Sequence, residues 1–142
     1  MVLFARDVAE KSFLSLPRQT NALDAARAMR ENHQGFVVIS KDGLPEGIVT
    51  EWDYLSKVVA DGRDPGRVSL GDIMTPGLIT VQGSEGLESV ARTMTERGVR
   101  RVLVLQDGKV LGVITSRTIL ARLEEYVDRV SATIARLQAP PY

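Results

Sequence analysis

Displacing the 142-residue sequence by 65 positions lays residues 3–55 over 68–120 without a gap, and 11 of the aligned positions are identical. The identities are Asp7/Asp72, Ala26/Ala91, Arg27/Arg92, Met29/Met94, Glu31/Glu96, Val37/Val102, Asp42/Asp107, Gly43/Gly108, Gly47/Gly112, Thr50/Thr115 and Leu55/Leu120. Elsewhere apolar residues exchange for apolar ones, as in Val8/Ile73, Leu14/Ile79 and Ile39/Val104. A twofold period of this size calls for two similar supersecondary units rather than a solenoid.

Each unit follows the same order. A short lead-in with helical spacing (Leu3–Glu10; Val68–Thr75) precedes a brief apolar strand, Phe13–Leu16 or Leu78–Val81. Apolar residues at i, i+3 and i+4 (Ala22, Ala25, Ala26, Met29; Leu87, Val90, Ala91, Met94) predict helices over Asn21–Asn32 and Gly86–Arg97. Thr20-Asn21 and Ser84 offer oxygens to cap them. Two β-branched runs follow, joined by Asp42-Gly43 in the first unit and Asp107-Gly108 in the second, a hairpin signal because glycine takes positive φ freely. A second helix closes each unit, Glu51–Ala60 and Ser116 onward. The resulting β-α-β-β-α order, met twice, predicts an α/β (α+β) molecule. A three-stranded sheet cannot cover both of its faces alone, so the two units are expected to pack as one pseudo-two-fold body. The turn-rich segment Asp61–Gly66 links them. The expected divisions are 3–60, 68–123 and a C-terminal helical extension with its tail over 124–142.

Composition removes several function classes. Cysteine is absent and His33 is the single histidine, which leaves neither thiolate chemistry nor the makings of a zinc site or Ser-His-Asp triad. Lys+Arg and Asp+Glu are equal at 18 each, so no global cationic field holds a nucleic acid. No apolar run approaches membrane-spanning length and Met1–Asp7 lacks the make-up of a signal peptide, so the expected location is cytoplasmic, without membrane contact.

The most chemically suggestive segment is Gly47-Ile48-Val49-Thr50-Glu51-Trp52-Asp53. A strand ending at Val49 places Thr50 at a helix entrance, where its hydroxyl caps free amides or meets a ligand. Asp53 lies one turn on, along the same side, where a carboxylate is able to accept two hydrogen bonds from a vicinal diol such as ribose. The positive end of the helix favours phosphate. The plain structural alternative is a capped helix start with Glu51 and Asp53 in its first turn. In the second unit the corresponding run is Gly112-Val113-Ile114-Thr115-Ser116-Arg117-Thr118, with Thr118 in place of the aspartate. This cleft is then either empty or binds differently, with Arg117 on a phosphate.

The repeated β-α-β-β-α order, Asp72-Ile73-Met74-Thr75-Pro76 at the start of the second unit, and the Gly-hydrophobic-x-Thr-x-x-Asp segment resemble the cystathionine-β-synthase (CBS) domain family in its two-repeat arrangement, the Bateman module, over about Leu3 to Leu123. The resemblance implies a non-catalytic regulatory module that binds an adenine nucleotide, AMP before ADP or ATP, between the repeats. It implies that Thr50 and Asp53 contact phosphate and ribose, and that Ser12, Phe13 and Leu14 with Ile48 and Val49 line an adenine slot. Arg100 and Arg101 stand where family members often carry phosphate-contacting residues; a solvated strand end is the alternative. A weaker second cleft would use Ile114, Thr115, Arg117 and Thr118. No metal and no catalytic cofactor is expected. Trp52 is open to three roles: stacking on the base, covering the cleft or joining a dimer interface.

The last helix outruns the repeat. Ile119, Leu120, Leu123, Tyr126, Val127, Val130, Ile134 and Leu137 form a stripe that needs a cover, and Pro140-Pro141 ends it. A homodimer using this helix is expected, with packing against its own chain as the alternative. Three functional classes are distinguishable: a nucleotide sensor acting on an unknown regulated protein (AMP, or S-adenosylmethionine or NAD), a small phosphohydrolase, and a ligand-free interaction scaffold. The phosphohydrolase lacks a clustered acid pair, a metal-ligand set and a Walker loop.

Overall fold

The computed structural model describes residues 3–138; the expected Pro140-Pro141 helix stop lies outside them. The first unit contains α1 (Ala5–Val8), β1 (Ser15–Leu16), α2 (Ala22–Asn32), β2 (Phe36–Lys41), β3 (Leu44–Thr50) and α3 (Glu51–Tyr54), which widens into a π-helical turn over Leu55–Val59. After a 3₁₀ turn at Pro65–Arg67 the second unit repeats the series as α4 (Leu70–Ile73), β4 (Thr80–Gln82), α5 (Leu87–Arg97), β5 (Arg101–Gln106), β6 (Lys109–Thr115) and α6 (Ser116–Leu137).

Each unit forms its own three-stranded sheet, β1-β2-β3 and β4-β5-β6, with the first pair parallel and the second antiparallel. Both hairpins carry their register shift at corresponding places, Ile39/Ser40 and Val104/Leu105. Their turns put two consecutive residues at positive φ, Asp42 (53°) with Gly43 (78°) and Asp107 (53°) with Gly108 (76°). This is the turn whose twist matches paired strands. Asn21 caps α2 by accepting the Asp24 N–H at 2.8 Å. Ser84 does not cap α5: Gly86 stands at that position without a side-chain oxygen, and Glu85 instead turns back to accept the Gln82 N–H. The first strands begin later than expected, at Ser15 and Thr80, although the Leu14 and Ile79 carbonyls just before them still accept the Val38 and Leu103 N–H at 2.9 and 3.0 Å.

The lead-ins are exchanged. Ala5 and Val8 of α1 are buried in the second unit's core with Val81, Val90, Val102, Val104 and Ile114. Reciprocally, Val68, Leu70 and Ile73 complete the first unit's core with Ala22, Ala25, Val37, Ile39 and Val49. Backbone bridges fix the exchange. Phe4 pairs with Gly86 and Ser69 with Asn21; Glu10 pairs with Val113 and Thr75 with Ile48. Adding 65 to the first residue of each set gives its counterpart, which is the signature of pseudo-two-fold symmetry. A third cluster, Val38, Leu103 and Val113 with Phe13, Phe36, Leu78 and Val110, joins the opposite faces of the two sheets. Successive strand residues point to opposite faces, so Val37 and Ile39 serve their own unit while Val38 serves the junction.

Candidate functional site

The glycine of each Gly-hydrophobic-x-Thr segment sits where an exchanged lead-in crosses a strand. A Cβ on Gly112 would lie 2.5 Å from the Glu10 carbonyl oxygen, and one on Gly47 would lie 2.8 Å from Met74 Sδ and 3.0 Å from the Thr75 carbonyl oxygen. At Gly112 only a residue without a side chain admits the crossing; at Gly47 a side chain would have to displace Met74. The crossings place the β4 approach, Thr75–Ile79, beside Ile48, and the β1 approach beside Val113.

Two clefts result, one on each side of the junction. The first, about 210 Å³, is lined by Ile48, Thr75, Pro76, Gly77, Leu78, Ile79, Val99, Arg101, Val102, Leu103 and Val113, a mainly apolar wall. The second, about 350 Å³, is lined by Glu10, Ser12, His33, Gln34, Gly35, Phe36, Arg100, Arg101, Val113 and Thr115–Thr118. Ile48/Val113, Thr75/Glu10, Gly77/Ser12, Val99/Gln34 and Arg101/Phe36 are counterparts across the repeat. One is greasy and one polar.

Asp53 lies behind the wall of the first cleft, joined to it through Thr75. It is 3% exposed. Its Oδ2 accepts the Thr50 N–H at 2.8 Å and the Thr50 hydroxyl at 3.3 Å; its Oδ1 accepts the Thr75 hydroxyl at 3.2 Å and lies 2.9 Å from Lys57 Nζ. A carboxylate has about four lone-pair sites, and each finds a partner here. Thr75 separates Asp53 from the cleft. Lys57 also donates to the Ile73 carbonyl at 2.9 Å, so this pair ties α3 to the C-terminal end of the exchanged α4. In the second unit Arg122 donates likewise to the Asp7 carbonyl at 2.9 Å. Thr118 replaces the acid with a hydroxyl 2.8 Å from that of Thr115, whose oxygen also accepts the Thr118 N–H at 3.1 Å.

Arg101 lines both clefts. Its guanidinium lies 5.1 Å from the centre of the Phe36 ring and 3.7 Å from Glu51 Oε1. Burial holds its pKa below the usual arginine range, against the opposing pull of Glu51. Partial desolvation strengthens its attraction for any anion that enters.

The residues that the sequence suggested for one site are thus divided between two. Ser12 and Arg100 line the polar cleft with Thr115, Arg117 and Thr118; Ile48 lines the apolar one; Arg101 is shared. Val49 and Ile114 are fully buried core residues, Leu14 packs against the first core, and Phe13 joins the junction cluster. Beside Ile48 in the apolar cleft stand instead Gly77, Leu78 and Ile79, the 65-residue counterparts of Ser12, Phe13 and Leu14. The repeat offset contained that substitution, but the lead-in exchange that selects it was not readable from spacing. Trp52 is exposed on α3 and lines neither cleft. His33 closes α2 in the left-handed conformation (φ 52°) and borders the polar cleft.

Among the described residues no group of three or more His, Cys, Asp or Glu stands ready for a metal, and no helix is long and apolar enough to cross a membrane.

Two interlocked β-α-β-β-α units with a cleft on either side of their junction define a tandem-repeat α/β module. The chain belongs to the CBS domain family: the family model, described as "CBS domain", matches residues 5–60 and 70–125. Its relatives include the uncharacterized protein MK0525 of Methanopyrus kandleri, 34% identical over 85% of this chain and 62% of that protein. The CBS domain-containing protein CBSX3, mitochondrial, of Arabidopsis thaliana is 30% identical over 89% of this chain and 66% of that protein. The chain therefore spans somewhat under two thirds of the length of these two relatives. Among solved structures, the hexameric CBS-CP12 protein from bloom-forming cyanobacteria is 30% identical with a TM-score of 0.77, covering 84% of this chain and 67% of that one. The same fold, at 23% identity, occurs in the CBS domain pair of MJ0100 in complex with 5′-methylthioadenosine and S-adenosyl-L-methionine (TM-score 0.77; 89% and 99% covered). It also occurs in PAE2072 from Pyrobaculum aerophilum complexed with AMP (TM-score 0.73; 82% and 89% covered).

Proposed function

We propose that this chain is a non-catalytic regulatory module that binds an adenine nucleotide, AMP first among them, in the apolar cleft, and reports its occupancy to a partner protein. The observation that carries this reading is the convergence at that cleft of a flat apolar slot (Ile48, Leu78, Ile79, Val99), a Thr50/Asp53 pair behind Thr75, and the half-buried Arg101. The base enters the slot. The ribose hydroxyls take over the hydrogen bonds that the Thr75 and Thr50 hydroxyls now give to Asp53. The phosphate meets Arg101. Occupancy bridges β3 of one repeat and the β4 approach of the other, so a ligand that binds better to one packing of the repeats shifts the balance between them. The AMP complex of PAE2072 and the S-adenosylmethionine complex of MJ0100 support the ligand class.

Six residues of α6, Leu120, Leu123, Val127, Val130, Ile134 and Leu137, are exposed at alternating spacings of three and four, while Ile119 packs against the second core. This is the spacing that a left-handed pair of helices buries along its seam. We assign it to a symmetric homodimer.

The test is calorimetric titration with AMP, ADP, ATP, NAD and S-adenosylmethionine, on the natural chain and on Asp53→Asn. A charged hydrogen-bonding partner contributes about 1.5–3 kcal/mol, so AMP affinity is expected to fall at least ~10-fold in a variant that still folds. Undiminished affinity would remove Asp53 from the site, and conversion of AMP during long incubation would make the chain an enzyme. The four partners of Asp53 favour a second reading, a ligand-free scaffold in which this carboxylate only clamps α3 to α4. That reading requires no thermal shift with any of the five ligands.

A further inference from the structure

The two clefts differ at one pair of counterparts, Gln34 and Val99, which follow the left-handed caps of α2 and α5 in the same way: Gln34 N–H donates to the Met29 carbonyl and Val99 N–H to that of Met94, each at 3.0 Å. The Gln34 side chain turns back along the approach to β1. Its Oε1 accepts the Leu14 N–H at 2.8 Å and its Nε2 donates to the Ser12 carbonyl at 3.2 Å. These backbone groups continue the side of β1 that faces β2, since the Leu14 carbonyl accepts the Val38 N–H at 2.9 Å, and beyond the ladder's end they present one donor and one acceptor side by side. The carboxamide fills both, as one further residue of the parallel β2 ladder would. On the other side Val99 has no polar group. Among the described residues, the corresponding Ile79 N–H and Gly77 carbonyl have no hydrogen-bond partner.

An acceptor and a donor adjacent in one plane is also what the amidine edge of adenine offers, a ring nitrogen beside an exocyclic amine. We propose that Gln34 is a built-in occupant of the base position in the polar cleft. Its carboxamide holds the edge that a base would read, so one nucleotide binds per chain, with its base on Gly77 and Ile79. The inference rests on the adenine-nucleotide reading above and adds which cleft takes the base and which residue excludes it from the other. Gln34 thereby sets stoichiometry without touching the ligand.

Calorimetry with AMP tests this on the natural chain, Gln34→Val and Val99→Gln, with far-UV circular dichroism and melting to verify folding. The expected stoichiometries are one, two and none per chain. Two nucleotides on the natural chain, or a Gln34→Val chain that still takes one, overturns the proposal and leaves the nucleotide reading standing. Binding of one by Gln34→Val and none by the natural chain upholds the occupant and overturns the Asp53 cleft as the site. No binding by any chain overturns both. Val99 packs beside the second core, so a measurement on the natural chain guards against a misfolded variant. The Gln34 side-chain amide resonances should stay in place at AMP saturation. Their displacement, with faster exchange, shows a base in that position and overturns the proposal.

Discussion

Gly112 and Gly47 hold corresponding positions and meet different neighbours. A methyl group on Gly112 would run into the Glu10 backbone, which is fixed by two hydrogen bonds to Val113, at 2.9 and 3.0 Å. On Gly47 it would meet first the Met74 thioether, which is flexible enough to move aside. Gly112→Ala should therefore destabilise the chain by about 1–3 kcal/mol, the usual cost of overpacking, and Gly47→Ala by less; chemical denaturation of both variants measures the difference, and an equal effect would refute it. Tyr54 supplies a second residue-scale prediction. Its hydroxyl donates to the Ala22 carbonyl at 2.7 Å, and burial pushes its pKa from 10.0 up to about 12. The folded state thus keeps a proton that the unfolded chain loses. The associated stability is whole below pH 10.0 and is lost as pH rises towards about 12. Melting temperature should fall across that window in the natural chain, and less steeply in Tyr54→Phe. The acid side runs the other way at Asp72, which the Ser69 backbone and hydroxyl hold below the ordinary carboxylate range. Its contribution is present above that range and disappears as pH drops through the lowered value.

At the scale of elements, the sequence carried most of the information. Apolar spacing of three and four marked α2 and α5, and Asp-Gly marked both hairpins, because helix faces and turns with positive φ restrict which residues fit locally. It was less informative for β1 and β4, which are two and three residues long and lie beside approaches shaped by the clefts. The long helix α6 shows both sides. Its stripe was visible in the sequence, but only the structure separates Ile119, which packs against the second core, and the partly exposed Tyr126 from the six exposed residues. Leu120 and Leu137 are 68% and 81% exposed. If a second α6 covers this seam, the double variant Val127→Glu/Ile134→Glu should sediment at half the mass of the natural chain and keep its helical spectrum. A natural chain that sediments as a monomer would refute the pairing.

The molecule as a whole is bound together by the exchange of α1 and α4. Each core lacks a wall without the lead-in of the other repeat, and the Val38/Leu103/Val113 junction joins what remains. The two repeats should therefore unfold as one: amide exchange at Val38 and Leu103 is expected to report the same opening free energy, and a clear difference between them would mean independent units. The sequence by itself determined the element order within each repeat, the hairpin turns and the Thr50-x-x-Asp53 spacing, since each is written in residues close to one another, and the 65-residue offset showed that the series is met twice. Only the tertiary structure decided which lead-in serves which core, that Gly77–Ile79 rather than Ser12–Leu14 stand beside Ile48, and that Gln34 fills an edge whose counterpart beside Val99 is open. The physical reason is distance along the chain. A backbone donor shows no preference in sequence for the partner it will meet, and that partner is chosen when two cores, each incomplete alone, close around each other.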